Sequence, residues 1–476
     1  MNETFTAVLP HLIGVSVFII SCIASAHVVL NKRDTKAAVG WVGLIWLVPA
    51  IGALLYILLG INRIRRRAKD LRPEHALSSS GRVLSGPENI DIPVQFTGFS
   101  TLVHTILQKP LLKGNALKPL VNGDEAFPAM IREIERAEHS IHMMTYIFDR
   151  DGAGKRFVEA LVRAARRGVK VRIIIDDVGA RYSFPSVTRL LRQSGIEVSR
   201  FLPTMLPWRT PYVNLRNHRK ILVIDGKKGF TGGMNIRNGL MLKEHPKHPF
   251  RDLHFRVYGP VVAHLQEVFL SDWEFCTGER LEPDAFPVPS ETSGTTLARG
   301  IPDGPDEDFE KLQWIVHGAL MAAQSSVRIV TPYFIPDSAL IKTINLTALR
   351  GVTVDIVLPS ENNLPVIKWA SMDVLQQILE YGSRVWLTSP PFDHSKLMVV
   401  DDTWTLLGSA NWDTRSFRLN FEFNLECYDK NLANTINKII NEKIDGAHKI
   451  TLAEVMSRTL PVKLRDGIAR LFSPYL

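Results

Sequence analysis

Two histidines of this chain stand at the head of matching sets of polar residues. The first set is His218, Lys220, Asp225 and Asn235, and the second, with the same residue types at the same separations, is His394, Lys396, Asp401 and Asn411. Both stretches read H-x-K-x4-D-x6-G-[GS]-x-N. One match to a pattern this short arises readily by chance, whereas two copies that agree over the whole stretch do not. The repeat therefore indicates two copies of one chemical site.

Histidine, lysine and asparagine in combination suit chemistry on a phosphodiester. A histidine acts as a nucleophile or as a general acid near neutral pH. The lysine ammonium group and the asparagine amide donate hydrogen bonds to phosphoryl oxygens, which gain negative charge in the transition state. Asp225 and Asp401 have the opposite strand parity from their histidines, because side chains alternate between the two faces of a strand. We interpret these aspartates as turn anchors or as partners of the lysines.

Each motif predicts a β-hairpin that carries its own polar set. Residues 221–224 form a short apolar run, and the residues that follow are typical of a tight turn. With a two-residue turn at 226–227, Asn235 lies directly opposite His218, and opposed residues share a face of the sheet. A turn at 402–403 gives the second copy the same arrangement. We therefore expect each hairpin to present a histidine, a lysine and an asparagine together.

The hairpins belong to a longer internal repeat. Residues 140–148 resemble residues 326–334, and residues 167–174 resemble residues 350–357, with a helical pattern between the two members in each half. Strand, helix, strand and then hairpin indicate an α/β fold with a mixed β-sheet flanked by helices. The stretch 278–304 is rich in Pro, Ser, Thr and Gly, which predicts a linker between the halves.

The N-terminus carries two long apolar runs, at about residues 5–30 and 37–61. Each is about 25 residues or about 37 Å of helix, enough to cross a hydrocarbon core of about 30 Å. A cleaved signal peptide is the alternative for the first run, but its start holds Glu3 and no basic residue. Basic residues crowd positions 63–72, so the positive-inside rule places both termini in the cytoplasm.

The predicted organisation follows from these boundaries. It consists of a two-helix transmembrane hairpin at 1–72, a linker at 73–91, a first α/β domain at 92–277, a second linker at 278–304 and a second α/β domain at 305–476. Two further stretches are amphipathic. Residues 202–213 combine aromatic and basic side chains, which suit a membrane interface or a plain loop. Residues 462–472 predict an amphipathic helix, for which docking on the protein's own core is favoured over contact with lipid.

Composition limits the partners. The formal net charge is +9, which favours anionic partners such as lipid headgroups or nucleic acid. Three cysteines, at 22, 276 and 427, have no metal-ligand spacing and form no disulfide framework. The chain has no P-loop, dinucleotide fingerprint or zinc motif. We therefore predict neither a metal nor another cofactor.

The doubled motif resembles the phospholipase D superfamily, and its flanks resemble the bacterial cardiolipin synthases. The flanking residues that carry the second resemblance are Asn217, 232–235, Arg251, Asp252, 408–411, Asp413, Arg415, Ser416, 418–420 and Glu422. The resemblance spans nearly the whole chain, including the N-terminal apolar runs. It implies two phospholipase D-like repeats in a pseudo-twofold arrangement, with the two His-Lys-Asn sets meeting across the axis.

The resemblance also implies an activity, namely transfer of a phosphatidyl group between two phosphatidylglycerols to give cardiolipin and glycerol. One histidine attacks phosphorus, and the resemblance indicates His218; the other, His394, acts as acid and then base. Asp252 and Glu422 are expected to hold the far ring nitrogens of the motif histidines. Arg415 and Arg418 are candidates for a second lipid phosphate or for a structural ion pair.

The expected partners are phosphatidylglycerol, other anionic phospholipids and the membrane, and no nucleic acid is expected. The expected location is the bacterial cytoplasmic (inner) membrane, as a multi-pass protein with its catalytic body on the cytoplasmic side. The alternative function is a membrane-bound phospholipase D or another phosphodiesterase with water as the acceptor. A scaffold without catalysis is disfavoured, since it predicts a decayed motif and both copies are intact.

Overall fold

The computed structural model describes residues 2–32, 34–60, 92–203, 215–281, 292–306 and 308–473. The chain forms two compact units, residues 1–67 and 68–476. Three of the sequence predictions lie outside the described residues. They are the basic cluster at 63–72, the linker at 73–91 and all but the first residues of the aromatic and basic stretch at 202–213.

The first unit is helical, but the second apolar run is not one continuous helix. Its helices are α1 (Asn2–Asn31), α2 (Thr35–Leu47) and α3 (Ile51–Leu55), which continues as a π-helix (Tyr56–Gly60). Pro49 explains the break, because proline lacks an amide donor and disfavours helical geometry in the residue before it. Among the described residues, Pro10–Asn31 is the one helix long and apolar enough to cross a membrane. At about 20 Å, α2 is shorter than the hydrocarbon core.

The second unit is built on a large mixed β-sheet. The strands of the first half are β1 (Leu112–Val121), β2 (Ser140–Thr145), β3 (Lys170–Asp176), β4 (Glu197–Phe201), β5 (Arg216–Asn217), β6 (Ile221–Ile224), β7 (Lys228–Gly232), β8 (Phe250–Arg251) and β9 (Leu253–Tyr258). Those of the second half are β10 (Thr296–Asp303), β11 (Ser326–Val330), β12 (Phe334–Ile335), β13 (Thr353–Pro359), β14 (Arg384–Thr388), β15 (Phe392–Asp393), β16 (Leu397–Val400), β17 (Trp404–Gly408), β18 (Trp412–Asp413), β19 (Asn420–Tyr428) and β20 (Ala447–Ile450).

Helices cover this sheet. They are α4 (Thr97–Leu107), α5 (Asn122–Glu135), α6 (Gly152–Arg166), α7 (Val187–Gln193), α8 (Val262–Thr277), α9 (Lys311–Ala322), α10 (Ser338–Leu349), α11 (Pro365–Leu379), α12 (Thr414–Arg418), α13 (Lys430–Asp445), α14 (Leu452–Met456) and α15 (Leu460–Leu471). In α6, for example, Phe157, Leu161 and Ala164 recur every three or four residues and are buried, as the helical period requires.

The strand order repeats on either side of a central pair. One side runs β4-β3-β2-β6-β7-β9-β1, and the other runs β14-β13-β11-β16-β17-β19-β10, with β20 added beyond β14. Antiparallel pairing of β1 with β10 joins the two sides into one continuous sheet. This order confirms the prediction of an α/β fold made of two repeats in a pseudo-twofold arrangement.

Two features of the central region differ from the predicted boundaries. The last part of the predicted linker at 278–304 is strand β10, whose residues are all buried between β1 and β19. The linker composition ends before Leu297, and the apolar residues that follow explain the burial. Helix α4 falls within the predicted first domain at 92–277, yet its side chains Phe99 and Val103 pack in the apolar core of the second half.

Both motif hairpins are shifted by one residue from the predicted register. Ile221 pairs with Thr231 and Leu397 with Leu407, so that each turn holds three residues rather than two. The ladders begin after the histidines, and His218 is therefore not a cross-strand partner of Asn235. The cause is the turn aspartate. Asp225 takes a left-handed conformation (φ 52°) and its carboxylate binds backbone amides at the start of β2.

Helix α15 docks on α11, but with the face opposite to the one predicted. Its buried residues are Asp466 and Ala469, whereas Leu464 and Ile468 are exposed. Asp466 is tolerated in this contact because its carboxylate is paired with Arg458 and Arg465. The expectation that the apolar stripe docks on the protein's own core was wrong.

Candidate active site

Each motif histidine is positioned by a short parallel pairing with the opposite half of the protein. Strand β5 pairs with the start of β19, and the amide of His218 donates a hydrogen bond of 2.8 Å to the carbonyl of Phe421. In the same way β15 pairs with β8, and the amide of His394 donates one of 2.7 Å to the carbonyl of Arg251. A carboxylate residue follows each of these acceptors, Glu422 after Phe421 and Asp252 after Arg251. Each carboxylate is thereby placed beside the histidine of the opposite half.

The carboxylates are exchanged between the halves. His218 Nδ1 lies 3.0 Å from Oε1 and 3.1 Å from Oε2 of Glu422, and His394 Nδ1 lies 3.0 Å from Oδ2 of Asp252. The family resemblance implied that these carboxylates hold the motif histidines, but the sequence pattern did not reveal that each carboxylate contacts the histidine of the other repeat. Because Nδ1 is occupied in both rings, Nε2 is the nitrogen available to a substrate.

Burial tunes these groups toward neutral imidazoles. It lowers the pKa of His394 to about 4, helped by the neighbouring ammonium of Lys396, and it lowers the pKa of His218 as well. A histidine that is uncharged at neutral pH has a free lone pair and suits nucleophilic attack. Burial raises the pKa of Glu422, but its interaction with the His218 ring and the ammonium charge of Lys220 outweigh burial and hold this pKa below its usual value.

The two lysines lie behind the histidines. The ammonium of Lys220 donates to the carbonyl of His218, and that of Lys396 donates to the carbonyl of His394 and lies 2.9 Å from its Nδ1. Both side chains are nearly inaccessible to solvent. Burial lowers the pKa of Lys220 to about 7 and that of Lys396 to about 8. Both ammonium groups therefore titrate close to neutral pH.

A pocket of about 410 Å³ opens between the two repeats. It is lined in equal number by the first half, with Tyr146, Ile147, Tyr182, Arg216, His218, Asn235, Arg237, Leu240, Phe250 and Asp252, and by the second, with Tyr333, Asn363, Leu364, Ile367, Phe392, His394, Asn411, Asp413, Arg415 and Asn420. The oxygen of Asn235 accepts a hydrogen bond from the amide of Ile147, which leaves its NH₂ group for the pocket.

The motif aspartates lie outside this pocket. Asp225 accepts hydrogen bonds from the amides of residues 138–140, and Asp401 from those of residues 324–326. Each therefore ties the hairpin turn to the start of a neighbouring strand. No described contact joins either aspartate to a motif lysine, which was the alternative interpretation.

The arginines of the site differ in what already holds them. Arg415 lines the pocket and, within the described part of the chain, its guanidinium makes no ion pair. Arg418 lies away from the pocket and pairs with Glu310 at 3.1 Å. Of the candidate arginines, only Arg415 is therefore placed to meet a ligand. Two further pocket arginines, at 216 and 237, were missed by the sequence reasoning, and each is paired with an aspartate.

Sequence reasoning also missed residues that support the histidines. Ser409 Oγ donates a hydrogen bond of 2.6 Å to Glu422 Oε2. The equivalent residue in the first repeat is Gly233, where an added Cβ would lie 2.4 Å from Asp252 Oδ1. The available signal was the Gly or Ser at this position, the one specified position of the shared pattern at which the two copies differ. Tyr146 and Tyr333 flank the histidines. They occupy adjacent, not equivalent, positions of the internal repeat, since Tyr146 matches Pro332.

No group of three or more His, Cys, Asp or Glu side chains in the described ranges is arranged to hold a metal ion.

The site residues predicted from the sequence fall into two groups by their position relative to the pocket. The two histidines, the two asparagines, Asp252 and Arg415 line one pocket, and Lys220, Lys396 and Glu422 lie directly behind them.

Comparison with known proteins agrees with this architecture. The phosphatidylserine synthase of Haemophilus influenzae matches with a TM-score of 0.63 over 80% of this chain and 100% of its own, at 17% identity, which is a likeness of fold. A family model described as "Cardiolipin synthase, PLD-like domain" matches residues 130–273 and 316–444, and one described as "Phospholipase_D-nuclease N-terminal" matches residues 19–60.

The fold and the doubled motif together place this chain in the phospholipase D superfamily. Relatives that match over nearly the whole chain narrow this assignment to one family. Cardiolipin synthase 2 of Staphylococcus epidermidis is 32% identical over 474 residues, covering 97% of both chains. The cardiolipin synthase of Geobacillus thermodenitrificans is 31% identical over 480 residues, covering 98% of this chain and 94% of its own. The chain belongs to the cardiolipin synthase family, and this membership together with the apolar N-terminal helix indicates association with a membrane.

Proposed function

We propose that this chain is a cardiolipin synthase that moves the phosphatidyl group of one phosphatidylglycerol onto a second and releases glycerol. The observation that carries the proposal is the pair of histidines in one pocket, each held at Nδ1 by a buried carboxylate of the opposite repeat. A reaction that exchanges one alcohol for another at phosphorus needs both a holder of the phosphatidyl group and a proton carrier.

In the first step, Nε2 of His218 attacks phosphorus, and the bond from phosphorus to the glycerol headgroup oxygen breaks. His394, which is protonated at Nε2 once the anionic phosphodiester is bound, donates that proton to the departing glycerol oxygen and becomes neutral. The product is a phosphatidyl-histidine at residue 218. The positive charge that develops on this ring is stabilised by Glu422, whose carboxylate lies within hydrogen-bond distance of Nδ1. The order of the two histidines follows the family resemblance.

In the second step, the headgroup hydroxyl of another phosphatidylglycerol gives its proton to His394 and attacks phosphorus. The bond from phosphorus to His218 breaks, cardiolipin leaves and both histidines return to their starting states. The ammonium groups of Lys220 and Lys396 and the amides of Asn235 and Asn411 stabilise the negative charge on the phosphoryl oxygens in both steps.

The acceptor lipid brings a phosphate of its own, and we assign its binding to Arg415. During the second step the pocket must hold two phosphoryl groups at once, the one bonded to His218 and the phosphodiester of the acceptor lipid. An arginine that lines the pocket and is not already paired suits the second of them, because guanidinium binds phosphate through two parallel hydrogen bonds. Arg418 is not assigned this role, since Glu310 already holds it.

The Arg415 assignment predicts a selective change in binding. Arg415→Ala should raise KM for phosphatidylglycerol at least about tenfold, since a lost charge-assisted hydrogen bond contributes roughly 1.5–3 kcal/mol. Arg418→Ala is the matched control, because Arg418 is only three positions further along the chain but lies outside the pocket. Initial rates at increasing mole fraction of phosphatidylglycerol in mixed micelles measure the difference. An equal effect of the two substitutions would contradict the assignment.

A product assay tests the function itself. Purified full-length protein and phosphatidylglycerol should yield cardiolipin and glycerol in equal amounts. Phosphatidic acid with glycerol would instead identify a hydrolase that uses water as the acceptor. His218→Ala and His394→Ala should each abolish transfer. With phosphorus-labelled lipid, only His394→Ala should retain label on protein, stable to base and labile to acid. Label retained only by His218→Ala would reverse the two roles and leave the two-histidine mechanism standing.

We also propose that the protein is multi-pass, with its catalytic unit on the cytoplasmic side of the bacterial inner membrane. The proposal rests on the two apolar runs and on the basic residues at 63–72. The division into two domains, predicted at 92–277 and 305–476, is likewise retained as a proposal, with strand β10 added to the second domain. Phosphatidylglycerol and other anionic phospholipids are the proposed partners.

A further inference from the structure

The C-terminal helix α15 presents an apolar stripe that no described part of the protein covers. Leu460, Leu464, Ile468, Leu471 and Phe472 are 53–71% exposed. At about 100° per residue, these five side chains fall within about 120° of the helix circumference. Asp466 and Ala469 lie on the opposite side and form the contact with α11. The stripe therefore points away from the body of the protein.

The charges of this helix are arranged on the two borders of the stripe. Lys463 follows one border and Arg465 follows the other, and both are exposed. Arg470 lies farther round the helix, where it pairs with Asp373 of α11 at 2.9 Å. The single acidic residue of the helix, Asp466, is buried and shared between Arg458 and Arg465. The outward face is thus apolar in the middle and basic at both edges. This is the pattern of a helix that lies in the plane of an anionic membrane surface.

The position of the helix connects the stripe to the active site. Ala469 packs in one apolar cluster with Ile367 of α11, and Ile367 also lines the pocket, as does Leu364 just before that helix. Arg465 lies over the ring of Trp369 of the same helix, 4.6 Å from its centroid. Only one helix therefore separates the stripe from the pocket wall.

We propose that α15 lies in the lipid–water interface of the membrane, with its apolar stripe among the acyl chains and its basic borders against anionic headgroups. The proposal rests on the proposed function in one respect, which is that the substrate resides in that membrane. Insertion of α15 holds the pocket at the bilayer surface, so that a lipid headgroup reaches the histidines without leaving the membrane entirely.

A second copy of the chain is the competing occupant, and two observations disfavour it. Like charges on both borders repel an identical surface, whereas they attract anionic lipid. The stripe also offers five side chains, compared with the roughly 20–30 residues that each partner contributes to a stable protein interface.

The test measures how close the stripe lies to acyl chains. Full-length protein that carries Cys22→Ser and Cys276→Ser retains only the buried Cys427, so a thiol-reactive fluorophore attaches to one added cysteine. That cysteine is Ile468→Cys in the test variant and Leu349→Cys in the control. Leu349 is 63% exposed at the end of α10, just before β13 begins, whereas the pocket residues Asn363 and Leu364 follow the other end of that strand.

Both variants are placed in nanodiscs of phosphatidylethanolamine and phosphatidylglycerol that include lipid spin-labelled on the acyl chain. The probe at 468 should lose about half or more of its fluorescence and the probe at 349 about a tenth or less, as expected for an interfacial helix. Equal quenching at the two positions would overturn the proposal. The probe at 468 could instead escape quenching by lipid and become less accessible to water as the number of protein molecules per nanodisc rises. That result would overturn the proposal in favour of self-association.

A second variant links insertion to turnover. Leu464→Ser with Ile468→Ser should lower the initial rate on bilayer phosphatidylglycerol at least about fivefold and leave the rate on a short-chain, water-soluble phosphatidylglycerol unchanged. An unchanged rate on bilayers would contradict the proposal. The two experiments fail separately, because quenching at 468 does not require any cardiolipin to form, and a wrong function would appear as absence of product in every variant.

Discussion

Glu422 shows how the site controls charge at the scale of single residues. Its carboxylate is fully buried and accepts hydrogen bonds from Ser409 at 2.6 Å and from the amide of Asn420 at 3.2 Å, besides its contact with His218. A buried carboxylate held by several donors stays ionised and fixes the imidazole tautomer. The neutral His218 thereby gains a partner that becomes most favourable when the ring takes on charge.

Replacement of that carboxylate tests its contribution. Glu422→Gln should lower kcat about 100-fold or more, because an amide keeps the shape but neither fixes the tautomer nor stabilises a charged ring. Steady-state rates on phosphatidylglycerol measure this, with the melting temperature as a check on folding. Asp252→Asn is the matched change at the other histidine. A variant that folds normally and keeps full kcat would contradict the role.

The lysines predict a dependence on pH. Lys220 and Lys396, with pKa values of about 7 and 8, carry positive charge below those values and lose it as the pH rises. The pKa values of both histidines are lowered from their ordinary range, so the titration of these rings in the substrate-free protein lies below this window. Therefore kcat/KM for short-chain phosphatidylglycerol should fall as the pH is raised from about 6.5 to about 9. Lys220→Arg keeps its charge throughout, so the fall should begin at higher pH in that variant. A flat profile in the unaltered protein would refute the prediction.

At the scale of elements, the sequence predicted the type and order of most strands and helices but not how neighbouring segments join. The continuous apolar runs at 221–224 and 397–400 identified the hairpin strands correctly, because strands that are buried on both faces are apolar throughout. The turn length escaped prediction, since it depends on the amides of 138–140 and 324–326, far away in the chain. The exchange of Asp252 and Glu422 escaped for the same reason, as a repeat pattern carries no information on which half pairs with which.

The turn aspartates make this point testable. Asp225→Asn should lower the free energy of unfolding by about 1–3 kcal/mol, because several backbone amides lose a charged acceptor. Since Asp225 lies outside the pocket, kcat per folded molecule should change less than about threefold. Chemical denaturation and active-site titration measure the two quantities, and Asp401→Asn repeats the test in the second hairpin. A large loss of kcat at unchanged stability would instead assign the aspartate to the reaction.

At the scale of the whole molecule, the two repeats share one sheet through β1 and β10 and share one pocket through the exchanged carboxylates. The doubled motif predicted that two sites exist in one fold. It also misplaced residues 296–303 in a linker, because a local composition signal was extended over residues that become the centre of the sheet. Long-range burial of this kind is set by tertiary packing.

Membrane orientation is a property of the whole chain. A reporter fused after Leu476 should show cytoplasmic activity, since basic residues at 63–72 outnumber those at 32–36. Paired reporters, one active only in the cytoplasm and one only outside it, measure the side. The matched variant changes the six basic residues at 63–72 to glutamine and should reduce the preference. Activity of the outward reporter in the unaltered chain would refute the proposed topology.

The exchange of carboxylates also makes the two repeats dependent on each other in evolution. Glu422 is 204 positions from the histidine it serves, and Asp252 is 142 positions from its own. A damaging substitution in either repeat therefore appears as a defect of a histidine encoded in the other. Neither repeat can lose its site residues while the other remains active. Loss of a single repeat removes one reactive histidine together with the carboxylate that supports the other, so the two repeats are under selection as one functional unit.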